Sequence, residues 1–173
     1  NDTILAGLDY LLMEMGKRKM VAVLYLNNSW EWSGGYGYYL EQAGLGKAPR
    51  PDEDGYPAFM NFVAQYASCD KAHQLFYDYV RFILTRTNRY TKKKYKDDPA
   101  IMSWQIGNEP RAFSKEQLPA FEKWLGETSK LIRSLDKNHL ISIGSEGKWG
   151  CEGELDCWER ICADRNVDYC NIH

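Results

Sequence analysis

Three short, largely apolar runs, Met20–Leu26, Ile101–Ile106 and Leu140–Ile143, and a fourth strand-like segment, Val167–Ile172, divide this chain and leave few folds open to it. Each is too short for a helix; Met20–Leu26 is continuously apolar and Ile101–Ile106 is apolar and compact, which reads as strands covered on both faces. The intervening segments place their apolar residues at helical spacing instead. Ile4, Leu8, Leu11, Leu12 and Met15 share one face, and Ala72, Leu75, Phe76, Tyr79, Val80, Phe82 and Ile83 share another. A third stripe holds Phe121, Trp124, Leu125, Thr128, Leu131, Ile132 and Leu135, and a short helix is expected from about Leu155 to Ala163. Helix and strand thus alternate four times, which predicts an α/β fold whose right-handed crossovers make the strands parallel.

Local signals refine the boundaries. Asp2 or Thr3 is expected to cap the first helix, which closes on Lys17, Arg18 and Lys19. Ser68 or Asp70 is expected to cap the second. Ser114 and Gln117 match a capping box for the third. Pro119 fits only a first turn, however, so the regular helix should begin slightly later. From Gly34 to about Pro57 the sequence is rich in Gly, Pro, Tyr and charge and has little periodicity, which predicts a long functional loop. A short helical piece, Ala58 to Tyr66, follows it. Lys92–Lys94 reads as solvated surface.

A chain of 173 residues can bury one core. Its net charge of −2 gives no electrostatic reason to bind nucleic acid, and no apolar run approaches the ~20 residues of a membrane span. No signal peptide is legible at Asn1-Asp2-Thr3, and the chain is expected to be part of something longer. Five cysteines, Cys69, Cys151, Cys157, Cys162 and Cys170, permit disulfides in an oxidising compartment without fixing their pairing. They show no Cys-x-x-Cys pair that would suit zinc, so no metal site is expected. Aromatic residues make up 14% of the chain, enough to leave a surplus for stacking against flat apolar faces of sugars once a core is filled.

The chemistry concentrates where strands end. After Ile101–Ile106 the polarity changes abruptly to Gly107-Asn108-Glu109-Pro110-Arg111, and Pro110 forces Glu109 out of the helical region into an extended or turn conformation. A carboxylate held there beside an amide and a guanidinium is placed like a catalytic acid, although a polar turn closing the sheet would use the same residues. The first strand ends in Asn27-Asn28-Ser29-Trp30-Glu31-Trp32-Ser33-Gly34-Gly35, the third in Gly144-Ser145-Glu146-Gly147, and the fourth at His173. Parallel strands bring such ends to one face, where βα-barrel enzymes keep their active sites.

The window Asp97–Arg111 resembles the acid/base strand of clan A glycoside hydrolases, and more narrowly that of the family 5 endo-β-1,4-mannanases. The resemblance implies that Glu109 is the general acid/base, that Asn108 hydrogen-bonds a sugar 2-OH, and that Arg111 lines the leaving-group side. The Asn27–Gly35 segment is similar to the family's third barrel strand and loop. It makes Trp30 the expected sugar contact, with Trp32 its rival, and sets Asn28 among the substrate-binding candidates. Asn27 and Asn28 would equally serve simply to end the strand. Glu146 falls where the family has an acidic residue near the sugar, and a solvent-facing Glu in a Gly-rich turn is the plainer alternative. The run Asp168–His173 resembles the strand whose closing His hydrogen-bonds in the site, which adds His173 to the catalytic candidates.

By this resemblance residues 1–173 carry about strands three to six of a (β/α)8 TIM barrel, part of a single catalytic domain lacking its first and last strands. The implied activity is retaining endo-hydrolysis of β-1,4-mannosidic linkages, acting on β-mannan or mannooligosaccharides without a cofactor. Retention needs two carboxyl groups about 5–5.5 Å apart, one to protonate the leaving oxygen and one to attack the anomeric carbon. The attacking Glu belongs to the seventh strand and so lies outside this chain. A polymer substrate implies a secreted, periplasmic or cell-surface protein. A cellulase or other β-glycan hydrolase of the family, and a non-catalytic carbohydrate-binding barrel, are the alternatives.

Overall fold

A computed structural model describes all residues from Asn1 to His173. Its elements run α1 (Asp2–Lys17), β1 (Ala22–Tyr25), α2 (Gly35–Ala43), α3 (Pro51–Asp54), α4 (Tyr56–Val63) and α5 (Asp70–Thr85). They continue with β2 (Ile101–Gln105), α6 (Leu118–Leu135), β3 (Leu140–Ser142) and α7 (Leu155–Cys162). The strands form one parallel sheet in the order β1-β2-β3, with Leu24 opposite Trp104 and Trp104 opposite Ile141. Strands therefore alternate with helices as the apolar runs predict.

The fourth expected strand does not form. Val167–Ile172 makes only single bridges, Tyr169 to Ser142 and Ile172 to Glu146. Side chains take up the hydrogen bonds that a backbone ladder would have used: Asp168 Oδ2 accepts from the Ile141 N–H at 2.8 Å and Asn171 Oδ1 from the Gly144 N–H at 2.9 Å. With those donors occupied, the segment follows β3 without pairing regularly to it.

The Gly34–Pro57 stretch is not one long loop, since it holds α2, α3 and the beginning of α4. Tyr36, Leu40 and Ala43 are buried on one side of α2, a helical spacing masked by the surrounding Gly and Tyr. Gly44 stops that helix in the left-handed region at φ 95°, where glycine carries no Cβ penalty. The helix caps also differ from expectation. Helix α1 starts one residue early, so Asn1 lies outside it and accepts the Thr3 N–H at 2.9 Å. Helix α5 follows Cys69 with no side-chain cap, leaving Asp70 in the first turn. Ser114 bonds Glu116 at 2.6 Å, and a 3-10 turn over Lys115–Gln117 replaces the capping box. Pro119 does sit in the first turn of α6.

Most aromatic residues are structural. Tyr36 and Tyr66 stack at 3.9 Å, and Trp124 meets both edge-on at 5.7 and 5.2 Å, packing α2, the 3-10 turn Ala64–Ser68 and α6 into one core. Strand β1, at one edge of the sheet, is not covered on both faces. Val23 is 42% and Tyr25 50% exposed, alternating with half-buried Ala22 and Leu24.

Candidate active site

Beyond the regular strands, the backbone ladder continues into the motif residues. Asn108 N–H donates to the Asn27 carbonyl at 2.8 Å, and Ser29 N–H donates to the Asn108 carbonyl at 3.2 Å. On the other flank Ile106, Gly107 and Glu109 donate in turn to the carbonyls of Ser142, Ile143 and Gly144. This close approach depends on Gly144, with φ 85°, where an added Cβ would lie 1.8 Å from the Gly107 oxygen. Glu109 itself takes φ 52°. Pro110 does exclude the right-handed helical region, but the result is the left-handed region rather than extended backbone, a conformation costly for a side chain.

That backbone aims the Glu109 carboxylate between two donors from distant parts of the chain. Trp30 Nε1 donates to Oε2 at 2.7 Å, and His173 Nδ1 lies 3.1 Å from Oε1. With the carboxylate ionised, His173 Nδ1–H is the donor. Asn171 Nδ2 lies 3.3 Å from the other ring nitrogen, and His173 N–H donates to the Ser145 carbonyl at 3.2 Å. The Trp30 ring is held edge-on by Tyr56 and Phe113 at 6.1 and 5.4 Å. Trp32, 6.3 Å from Trp30, has 54% of its surface exposed and does not reach Glu109.

Asn28 is buried, and its side-chain oxygen accepts from Trp30 N–H at 3.1 Å and from Asn108 Nδ2 at 3.4 Å. It orders the turn that presents Trp30. Asn27 reaches inward, donating to the Tyr66 hydroxyl at 3.0 Å and so tying the motif to the aromatic core.

Arg111 forms a second cluster beside the first. Its N–H donates to Ser29 Oγ at 3.0 Å, its Nε donates to Glu152 Oε1 at 3.2 Å, and its Nη1 lies 3.7 Å from Glu146 Oε2. The guanidinium also lies over the Phe113 ring at 5.8 Å. Glu146 is not a solvent-facing turn residue. Its Oε2 is buried without a hydrogen-bond partner, and burial raises its carboxyl above the usual range, with Arg111 opposing and the Glu109 charge reinforcing the shift.

All seven expected residues therefore gather at one end of the sheet, in two linked clusters. Sequence reasoning missed Glu152, Ser29, Tyr56 and Phe113. Glu152 and Arg111 lie 41 positions apart, and no local pattern couples them.

Chemically relevant side chains supplied by the C-terminal ends of successive parallel strands are the mark of a βα-barrel enzyme. The whole chain, residues 1–173, matches the family described as GH family 5 beta-mannosidase-like, and it belongs to that family. A glycoside hydrolase family 5 mannosidase from Rhizomucor miehei superimposes with a TM-score of 0.86 at 34% identity, covering 100% of this chain and 40% of that one. An endo-1,4-beta-mannanase from Rhizomucor miehei gives 0.78 at 26% identity, covering 96% of this chain and 47% of its own. Among curated relatives, mannan endo-1,4-beta-mannosidase 1 of Arabidopsis thaliana is 33% identical over 150 residues, or 87% of this chain and 33% of the relative. Mannan endo-1,4-beta-mannosidase 4 of Oryza sativa matches 100% of this chain with 38% of its length. The chain thus spans about a third to two fifths of the curated relatives it matches, and its fold is part of the family's barrel.

Proposed function

We propose that this chain is the acid/base section of a family 5 glycosidase that cuts β-1,4-mannosidic bonds within mannan with retention of configuration. The carrying observation is the Glu109 carboxylate, held at a strand end between Trp30 Nε1 and His173 Nδ1. Glu109 protonates the departing glycosidic oxygen and later takes a proton from the attacking water. Asn108 bonds the sugar 2-OH, Trp30 offers its ring to the sugar, and Arg111, steadied by Glu146 and Glu152, lines the leaving-group side with Asn28 supporting the turn. The second carboxylate, which attacks the anomeric carbon, comes from a strand outside residues 1–173, in keeping with relatives well over twice this length. Both steps need a sugar held between the two carboxyls, so the activity belongs to a completed barrel. Mannan is met outside the cell, and a disulfide between Cys162 and Cys170 suits a secreted, periplasmic or cell-surface protein.

A second reading, exo-acting β-mannosidase, is favoured by the family description and by the higher TM-score to the Rhizomucor mannosidase, a variant of which was solved with mannosyl-fructose. The products separate the two: mannose alone indicates exo action, and a ladder of mannooligosaccharides indicates endo action. For the acid/base assignment, Glu109→Gln in the complete protein should cost ~10²–10⁴-fold in turnover on unactivated mannan. An activated aryl mannoside, whose leaving group needs little protonation, should suffer less in the first step. Near-normal hydrolysis of mannan by the variant removes Glu109 from the mechanism.

A further inference from the structure

Cys151 and Cys157 meet in the wall that holds Arg111. Cys151 closes the 3-10 turn Gly147–Cys151, and Cys157 lies near the start of α7. Both are buried, and their sulfurs are 2.7 Å apart. Two unbonded sulfurs do not rest at that separation. A thiol is a weak donor that keeps longer contacts, and the gap is nearer to the ~2.05 Å of a disulfide bond than to ordinary contact between sulfurs. A neighbouring pair, Cys162 at the end of α7 with Cys170 beyond it, is already bonded. Cys69 is then left as the odd cysteine.

We propose that Cys151 and Cys157 form a second disulfide, made by exchange with a low-molecular-weight disulfide such as oxidised glutathione. The Sγ–Sγ bond forms as the small disulfide's S–S bond breaks. Two electrons and the two thiol protons pass to its sulfurs, which leave as two thiols. Once folded, the pair is a poor substrate for this chemistry. Its partner Cys151, burial and the Glu122 charge all push the Cys157 thiol well above the ordinary range, and exchange requires a thiolate. The bond therefore forms while the segment is still open.

Its position gives it a task beyond closing a short loop. Glu152, directly after Cys151, accepts from Arg111 Nε, and Gly150, directly before it, accepts from Ala112 N–H at 3.0 Å. The bond fixes both groups on α7 and so acts as a positioning device for Arg111.

Trypsin separates the five cysteines cleanly. Cleavage after Lys148 and Arg160 leaves Cys151 and Cys157 in one peptide, Trp149–Arg160. Cys162 falls in Ile161–Arg165, Cys170 in the peptide starting at Asn166, and Cys69 in the peptide ending at Lys71. The protein is produced in an oxidising compartment, alkylated with iodoacetamide in denaturant without reductant, digested and weighed. The expected map has Trp149–Arg160 unalkylated and lighter than its dithiol form by two hydrogens. The Cys162 and Cys170 peptides should be joined, and the Cys69 peptide alkylated. A Trp149–Arg160 peptide carrying two alkyl groups in most molecules, with Cys162–Cys170 still joined, overturns the proposal. So does a link from either cysteine to Cys69, Cys162 or Cys170.

Discussion

Trp104 lies on the strand that delivers Glu109, and its indole is anchored at the opposite end of the sheet. Its Nε1 donates to Asp136 Oδ2 at 2.6 Å. The same carboxylate meets His139 Nδ1 at 2.7 Å and accepts the N–H groups of Asn138 and His139 at 2.7 and 3.1 Å, with its side chain fully buried. Burial alone would raise the Asp136 pKa, but these hydrogen bonds outweigh it and lower the value from 3.8 to about 2. Burial likewise acts to lower the His139 pKa, and its bonds to Asp136 and the Asp98 carbonyl reverse that and raise it above 6.5. The carboxylate's share of stability is thus present above pH 3.8 and lost as pH falls through about 2. The imidazolium's share is complete below pH 6.5 and lost as pH rises through the higher folded value. The pair stabilises the fold most between these limits. The Asp136 shift is worth about 2 kcal/mol. In Asp136→Asn the amide oxygen can replace Oδ2, which takes Trp104 and His139, or Oδ1, which takes the N–H groups of Asn138 and His139, but not both, so at least one buried donor is orphaned at about 1–3 kcal/mol more. A total loss of about 3–5 kcal/mol is expected at pH 5.5, in line with breaking a buried ion pair. Urea unfolding of dilute protein, followed by tryptophan fluorescence at pH 5.5 and pH 8, measures it. The variant should also lose most of the wild-type fall in stability between those two pH values. A cost under about 1 kcal/mol at pH 5.5 with an unchanged m-value would refute this account of the network.

Arg111→Ala in the complete protein should weaken longer oligosaccharides more than the shortest cleavable one, with about 1.5–3 kcal/mol at stake per charged hydrogen bond; kcat/KM measured against chain length checks this, and equal losses at every length would mean a structural role. Gly144→Ala should cost at least ~3 kcal/mol in unfolding free energy, because its Cβ would meet the Gly107 oxygen in a backbone that side chains avoid. Residues 1–173 expressed alone should release no sugar from mannan and should aggregate. Met20 and Val21 are each over half exposed, next to the half-exposed face of outer strand β1. Co-expression with the flanking segments of the parent should improve solubility, as sedimentation of the lysate would report.

The parts of this fold legible in the sequence are those written in a local pattern. Ile101–Gln105 reads as a strand because five residues agree, and α6 because its buried Phe121, Trp124, Leu125, Thr128 and Ile132 repeat at helical spacing. Helix α2 is hidden because Gly35, Tyr36 and Gly37 look like a loop, and the stack of Tyr36 on Tyr66 that buries its face joins residues thirty positions apart. Val167–Ile172 misled in the opposite sense. Its composition suits a strand, but Asp168 and Asn171 spend their side chains on the donors its backbone would have used. In the site, positions were legible because strand ends mark them, and partners were not. That Arg111 answers to Glu152, or Trp30 to Glu109, is a fact of tertiary distance.

The site cannot be separated from the register of the sheet. Glu109 depends on three strand ends at once: its N–H on Gly144 after β3, one carboxylate oxygen on Trp30 after β1, and the other on His173 at the end of the fourth run. Neighbouring parallel strands stand ~4.8 Å apart, so groups projecting from alternate ends converge within hydrogen-bond reach only when each strand is in step. A slip by one residue would turn Glu109 to the opposite face and exchange Trp104 for a polar neighbour in the core. The buried Trp104–Asp136 anchor at one end of β2 and the three-way hold on Glu109 at the other therefore constrain the same degree of freedom. In the mechanism proposed above, a carboxyl that must meet a glycosidic oxygen at about 2.6–3.2 Å gains most from that kind of constraint, because orientation fixed by the fold need not be supplied again when substrate binds.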